Sequence, residues 1–122
     1  MMQHKHWMAL GLIAIAVPAT AHHSFAMFDM TKDVTVSGTI TEFRWTNPHS
    51  FMHLIVPGAQ GAATTWAIEM TSPNTLVHGG WRRSSLKPGD KVTVTYHPLL
   101  NGKPGGALVS VKLPDGTVLK NK

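Results

Sequence analysis

Residues 64–80 read Thr64-Thr65-Trp66-Ala67-Ile68-Glu69-Met70-Thr71-Ser72-Pro73-Asn74-Thr75-Leu76-Val77-His78-Gly79-Gly80. Within this stretch the chain changes its local rule. Trp66, Ile68 and Met70 alternate with Ala67 and Glu69, which is the period-two pattern of a strand with one apolar face. Ser72-Pro73 then opens a helix. A serine hydroxyl can accept one of the orphan amides of the first turn, and proline lacks the amide that would be orphaned at the first helical position. Gly79-Gly80 ends the helix, so it spans only about residues 73–78.

Working outward, the residues before this stretch give two more strands. Val34, Val36 and Ile40 alternate with Thr35, Ser37, Thr39 and Thr41. Gly38 interrupts the alternation, which points to a bulge or bend there. The apolar set then shifts by one residue to Phe43 and Trp45. Asn47-Pro48 breaks the strand, because proline offers no amide and restricts the residue before it. A second strand covers about residues 50–56, with His49, Phe51, His53 and Ile55 on one face and Ser50, Met52, Leu54 and Val56 on the other. Pro57-Gly58 and Gly61 turn the chain into the third strand.

The residues after the helix continue as β-structure. Trp81 to Ser85 is a connector, and Leu86-Lys87-Pro88-Gly89-Asp90 has the composition of a type II turn. Lys91 to His97 is a fourth strand with Val92, Val94 and Tyr96 facing inward. Asn101 to Gly106 is a glycine-rich loop, Ala107 to Leu113 a fifth strand, and Pro114-Asp115-Gly116 turns into Thr117-Val118-Leu119. Three strands, a short helix, two strands and a terminal hairpin arm predict a mainly all-β fold. The order matches a small five-stranded Greek-key barrel of the oligonucleotide/oligosaccharide-binding (OB) type, with its helix between strands three and four.

The first residues predict export. Met8 to Val17 is an apolar run broken only by Gly11, preceded by Lys5 and followed by Ala19-Thr20-Ala21. Basic region, short apolar core and small-residue cut site describe a secretory signal peptide over residues 1–21. The run is shorter than the ~20 apolar residues of a membrane span, and no second apolar span follows. Residues 22–122 then form one periplasmic domain, with 22–32 an irregular lead-in whose apolar side chains are expected to lie against the barrel. Removing 21 of the 122 residues leaves 101, enough for one modest core and a monomer. The full chain carries +5, and Lys5 is the only charged residue of the leader, so the domain carries +4. Its cations are scattered, with only Arg82 and Arg83 adjacent, which argues against a nucleic-acid partner. The chain has no cysteine, which removes disulfides, thiolate ligands and a cysteine nucleophile.

Ala21-His22-His23-Ser24-Phe25, Trp45-Thr46-Asn47-Pro48-His49, Trp66 with Glu69, Ser72-Pro73-Asn74-Thr75-Leu76, Gly80-Trp81, Leu86-Lys87-Pro88-Gly89-Asp90 and Asp115-Gly116 occur in that order. In this the chain resembles a bacterial family of small exported proteins, domain-of-unknown-function family 6152, along the whole length after the leader. The resemblance implies a periplasmic β-barrel domain and supplies no activity.

Histidine chemistry is the first functional candidate. Cleavage after Ala21 makes His22 the terminal residue, whose α-amine and Nδ1 can close a chelate ring on a metal. With His23 and His49 as further nitrogen donors, and His53 or Met27 as a fifth neighbour, that set suits Cu(II). A cut one residue earlier also leaves a copper-capable terminus, with histidine third. The plainer alternative is an exposed terminus that takes copper adventitiously, a His49 imidazole bonded to its own turn backbone, His78 at a helix end and His97 facing solvent.

Trp45, Asn47 and Glu69 are the ligand-binding candidates. Aromatics on the face of strands two and three of such barrels stack on ligands, although tryptophans of a small domain are needed in its core, where Trp66 is assigned. Glu69 faces away from Trp66 and lacks the second carboxylate of glycosidase chemistry, so pairing with Arg44 or capping a backbone amide is expected. No nucleophile elbow or phosphate loop is present. The sequence therefore predicts a non-enzymatic periplasmic binding or accessory domain, in its sharper form a copper-binding module. The alternative is a metal-free barrel that binds an envelope glycan, small ligand or partner protein through Trp45, Asn47 and Arg82-Arg83. A metal-dependent oxidase is a third class, without a visible substrate site.

Overall fold

The computed structural model describes residues 25–122. The leader over 1–21, His22 and His23 lie outside the described residues. Six strands follow, β1 (Val34–Arg44), β2 (Phe51–Pro57), β3 (Ala63–Glu69), β4 (Lys91–Pro98), β5 (Gly105–Lys112) and β6 (Val118–Lys120), with the helix α1 (Pro73–His78) between β3 and β4. β1 pairs antiparallel with both β2 and β4, β2 with β3, and β4 with β5. A parallel pairing of β3 with β5 closes the ring in the order 1-2-3-5-4. This is the closed five-stranded barrel the strand and helix order predicted. β6 lies outside the ring, on the free edge of β5.

Closure depends on β1 changing partners midway. Residues 34–39 pair with β4 and residues 39–44 with β2. Gly38 sits at the changeover, where a Cβ would lie 2.6 Å from the Ile55 carbonyl oxygen and 2.8 Å from a Leu54 methyl carbon. Only a residue without a side chain lets the strands cross this closely. The shift of alternation expected at Gly38 lies three residues further on. The register slips between Ile40 and Glu42, so Thr41 is the bulged residue and Phe43 turns back toward the core. Gly38 supplies the bend and Thr41 the change of face.

The inward faces are those the alternation predicted. Met52, Leu54, Ile68, Val94 and Val111 are fully enclosed, and Val92 and Tyr96 nearly so. Trp66 packs edge-on against Tyr96, with ring centroids 5.4 Å apart, as expected for a core tryptophan. At one end α1 contributes Leu76 and the following segment contributes Trp81, which is 1% exposed. The Ser72 hydroxyl accepts from the Thr75 amide at 3.3 Å, and Pro73 occupies the first turn. The turn before β4 has the predicted geometry: the Asp90 amide donates to the Lys87 carbonyl at 3.0 Å, and Gly89 has φ +94°.

The C-terminal arm seals the helix end of the barrel. Trp81 Nε1 donates to the Lys120 carbonyl at 2.8 Å, the Thr71 amide to Asn121 Oδ1 at 2.8 Å, and the Asn121 amide to the Val109 carbonyl at 3.1 Å. Residues 25–32 lie against the segment after β4. The Asp29 amide donates to the Pro98 carbonyl at 2.8 Å, the Leu100 amide donates to the Met27 carbonyl at 3.0 Å, and Phe28 bridges to Leu99. Phe28 is buried there, as expected. Met27 and Met30 instead remain 41% and 46% exposed, because a single bridge holds the segment and turns only one side of it inward.

Candidate functional site

Two features stand out on the barrel surface. The first is built on the β1–β2 loop, residues 45–50. Its Asn47–Pro48 peptide is cis. Thr46 Oγ1 donates to the His49 carbonyl at 3.0 Å, and the fully buried Ser50 exchanges backbone hydrogen bonds with Met70 and Thr71 at 2.8 and 3.2 Å. The loop is thereby tied to the end of β3, and His49 Nδ1 comes within 2.6 Å of Glu69 Oε1. Glu69 is on the outer face, as expected, with its side chain 14% exposed.

This corrects two expectations. His49 meets a carboxylate rather than its own turn backbone, and Glu69 meets His49 rather than Arg44. Arg44 is engaged elsewhere, because Glu42 and Arg44 share one face of β1 and Arg44 Nε donates to Glu42 Oε1 at 2.8 Å. That guanidinium bond holds the Glu42 carboxyl below its ordinary value, with the charges of Arg44 and His53 adding to the effect.

The other histidines separate by partner. His53 stacks on Phe51, with centroids 6.4 Å apart. Among the described residues its buried Nδ1 has no hydrogen-bond partner, and it lies 3.7 Å from Glu42 Oε2. His78 is at the helix end, as predicted, and its Nδ1 donates to the Asn74 carbonyl at 2.7 Å. His97 departs from the prediction. Its side chain is 19% exposed, and its Nδ1 donates to the Lys32 carbonyl at 2.9 Å, beside Asp33 Oδ1 at 3.1 Å. The lead-in to β1 continues alongside the end of β4 and covers the imidazole. Register puts His97 level with Ala107, and Ala107 level with Glu69, so His97 and Glu69 share one tier of the barrel. Each nevertheless faces its own partner. Among the described residues no three histidine, aspartate or glutamate side chains gather as metal ligands, and His22 and His23 fall outside them.

The second feature is a groove of about 320 Å³ lined by Trp45, Val77, Gly80, Trp81, Arg82 and Arg83. Trp45 packs edge-on against Phe43 at 5.6 Å, and Phe43 lies 6.0 Å from Trp81, so an aromatic row leads from the core to the groove wall. Arg82 and Arg83 begin a tight turn in which the Arg82 amide donates to Ser85 Oγ at 2.8 Å and the Ser85 amide donates back to the Arg82 carbonyl at 2.9 Å. Neither guanidinium meets a carboxylate among the described residues. Of the three ligand-binding candidates only Trp45 lines this groove: Asn47 is exposed on the loop and Glu69 faces His49. Trp45 and the Arg82-Arg83 connector, grouped with Asn47 in the metal-free alternative, line this groove together, and Asn47 does not.

Fold and surface together define a small closed barrel of the OB type with an aromatic, cationic groove beside its helix. The chain belongs to the family described as Family of unknown function (DUF6152), whose model matches residues 9–108. No curated protein and no solved structure matches the chain.

Proposed function

We propose that the chain is exported, loses residues 1–21, and acts in the periplasm as a non-enzymatic binding domain for a small anion with a flat or apolar body. The supporting observation is the groove that joins Trp45 to Arg82 and Arg83. An indole wall offers stacking, and two guanidinium groups offer forked donors that match carboxylate or phosphate geometry. Phenyl phosphate is a suitable probe, followed by amide NMR with the signal-cleaved protein. Its addition shifts the signals of residues 45 and 80–83, and the response is lost in Arg82→Gln/Arg83→Gln and in Trp45→Ala. Shifts elsewhere, or equal binding by the variants, would overturn the reading.

A copper-binding function is the second reading, supported by the His49–Glu69 pair and by the seat of residues 25–30 beside the β4–β5 loop. Leu99, which bridges to Phe28, lies near the space above Gly105, and Gly105 is level with Ala67, two residues from Glu69. His22 is three residues from Phe25, a reach of at most about 10 Å. Mass spectrometry of exported protein fixes the terminal residue. Stoichiometric copper binding that survives a competing chelator and is lost in both His22→Ala and His49→Ala supports this reading. Weak binding unchanged by either substitution removes it.

A further inference from the structure

A second cleft lies over β1, β4 and the end of β5 and reaches Pro57 at the end of β2, and neither reading above uses it. Its volume is about 650 Å³, within the ~300–1,000 Å³ of small-ligand sites. Residues of β1 and β4 line it, together with Pro57 at the end of β2 and Lys112, Leu113 and Pro114 at the end of β5.

Register arranges the chemistry of this face. Ser37 is level with Thr93, and Thr93 with Lys112, so these three side chains form one row across β1, β4 and β5. Thr39 is level with Lys91 in the next row. Ser37 Oγ and Thr93 Oγ1 are 3.0 Å apart and hydrogen-bonded to each other, which confirms that the hydroxyls share the face. Lys91 and Lys112 are diagonal neighbours, with Cα atoms about 7–8 Å apart by strand geometry. No carboxylate lines the cleft, and neither ammonium meets one among the described residues. Two ammonium groups on one face, with no carboxylate beside them, make the cleft locally positive and favour an anionic ligand. Three hydroxyls beside them supply donors and acceptors for a ligand that is itself hydroxylated. Leu113 and the two prolines give apolar walls for the C–H faces of a ring.

We infer that this cleft binds an acidic saccharide. Its carboxylate sits between Lys91 and Lys112, and its ring hydroxyls meet Ser37, Thr39 and Thr93. The proposal is independent of the Trp45–Arg82–Arg83 groove and of copper.

The test is amide NMR and calorimetry on signal-cleaved protein with three probes: trigalacturonic acid, the neutral trisaccharide maltotriose, and inorganic phosphate. Trigalacturonic acid is expected to shift the signals of Thr39, Thr93 and Lys112, and to bind at least about tenfold more tightly than either other probe, as a charge-assisted contact added to hydroxyl contacts requires. Lys91→Gln/Lys112→Gln loses this binding. Thr93→Val weakens it with the charge unchanged, and Arg82→Gln/Arg83→Gln leaves it intact. An unchanged one-dimensional proton spectrum shows that each variant is folded. Equal phosphate affinity read from the signals of Thr39, Thr93 and Lys112 would reduce the cleft to a simple anion site, and equal maltotriose affinity at those signals would remove the lysines from recognition. Either result overturns the proposal, as would absence of binding or shifts confined to residues 80–83.

Discussion

Tyr96 combines the two demands placed on a residue of so small a core. The residue is 5% exposed, its ring packs edge-on against Trp66, and burial pushes its phenol above the ordinary value of 10.0. Because the folded value is raised, the folded state holds the proton more tightly than the unfolded chain. The resulting stability is complete below about pH 10 and is lost as pH rises through the folded value. Denaturant titrations between pH 8 and 11 are therefore expected to show a steeper alkaline loss in the wild type than in Tyr96→Phe. Parallel curves would remove this contribution. The residue scale is also where sequence reasoning was least complete. Glu69 was legible as an outward carboxylate and His49 as a residue beyond a proline break. Their meeting at 2.6 Å was not, because it depends on Ser50 tying the β1–β2 loop to the end of β3.

Among the elements, β1 carries the barrel. It is 11 residues long and serves two neighbours in turn, so it must bend where it changes partner. Gly38→Ala places a methyl against the Ile55 carbonyl and the Leu54 side chain. The backbone neighbour cannot rotate away, so a loss of about 1–3 kcal/mol in unfolding free energy is expected by chemical denaturation, in the range of overpacked cores. A neutral result would mean that β1 closes the ring without this crossing. The helix and its cap were legible, because the Ser72 hydroxyl, Pro73 and Gly79-Gly80 act on backbone no more than a few residues away. The bulge at Thr41 was only half legible. A shift of alternation shows that a residue is extra, whereas its position is set by which amides the neighbouring strand leaves available.

At the scale of the whole molecule, the C-terminal arm is the element whose role changed most between sequence and structure. As a sequence it is a hairpin after Pro114-Asp115-Gly116, and as a structure it is the cover over Trp81 and α1. Asn121→Ala leaves the half-buried Thr71 amide without its acceptor, and a loss of about 1 kcal/mol is expected. Deleting residues 117–122 is expected to shift tryptophan emission to longer wavelength and to lower the melting temperature by several degrees, since Trp81 loses both its cover and its Nε1 partner. An unshifted emission maximum would show that the barrel end is closed without the arm. The alternation of strands, the inward faces of β2, β3 and β4, the short helix, the tight turns and the closed barrel they imply are all legible in the chain. These follow from periodicity and turn chemistry, which act between residues close in the chain. Which side chains come together is set by the fold: Trp45 with Arg82 and Arg83 along one groove, His49 with Glu69, and Lys91 and Lys112 in one cleft. Those pairings depend on strand register and on the parallel closure of β3 against β5, and no local pattern in the chain encodes either.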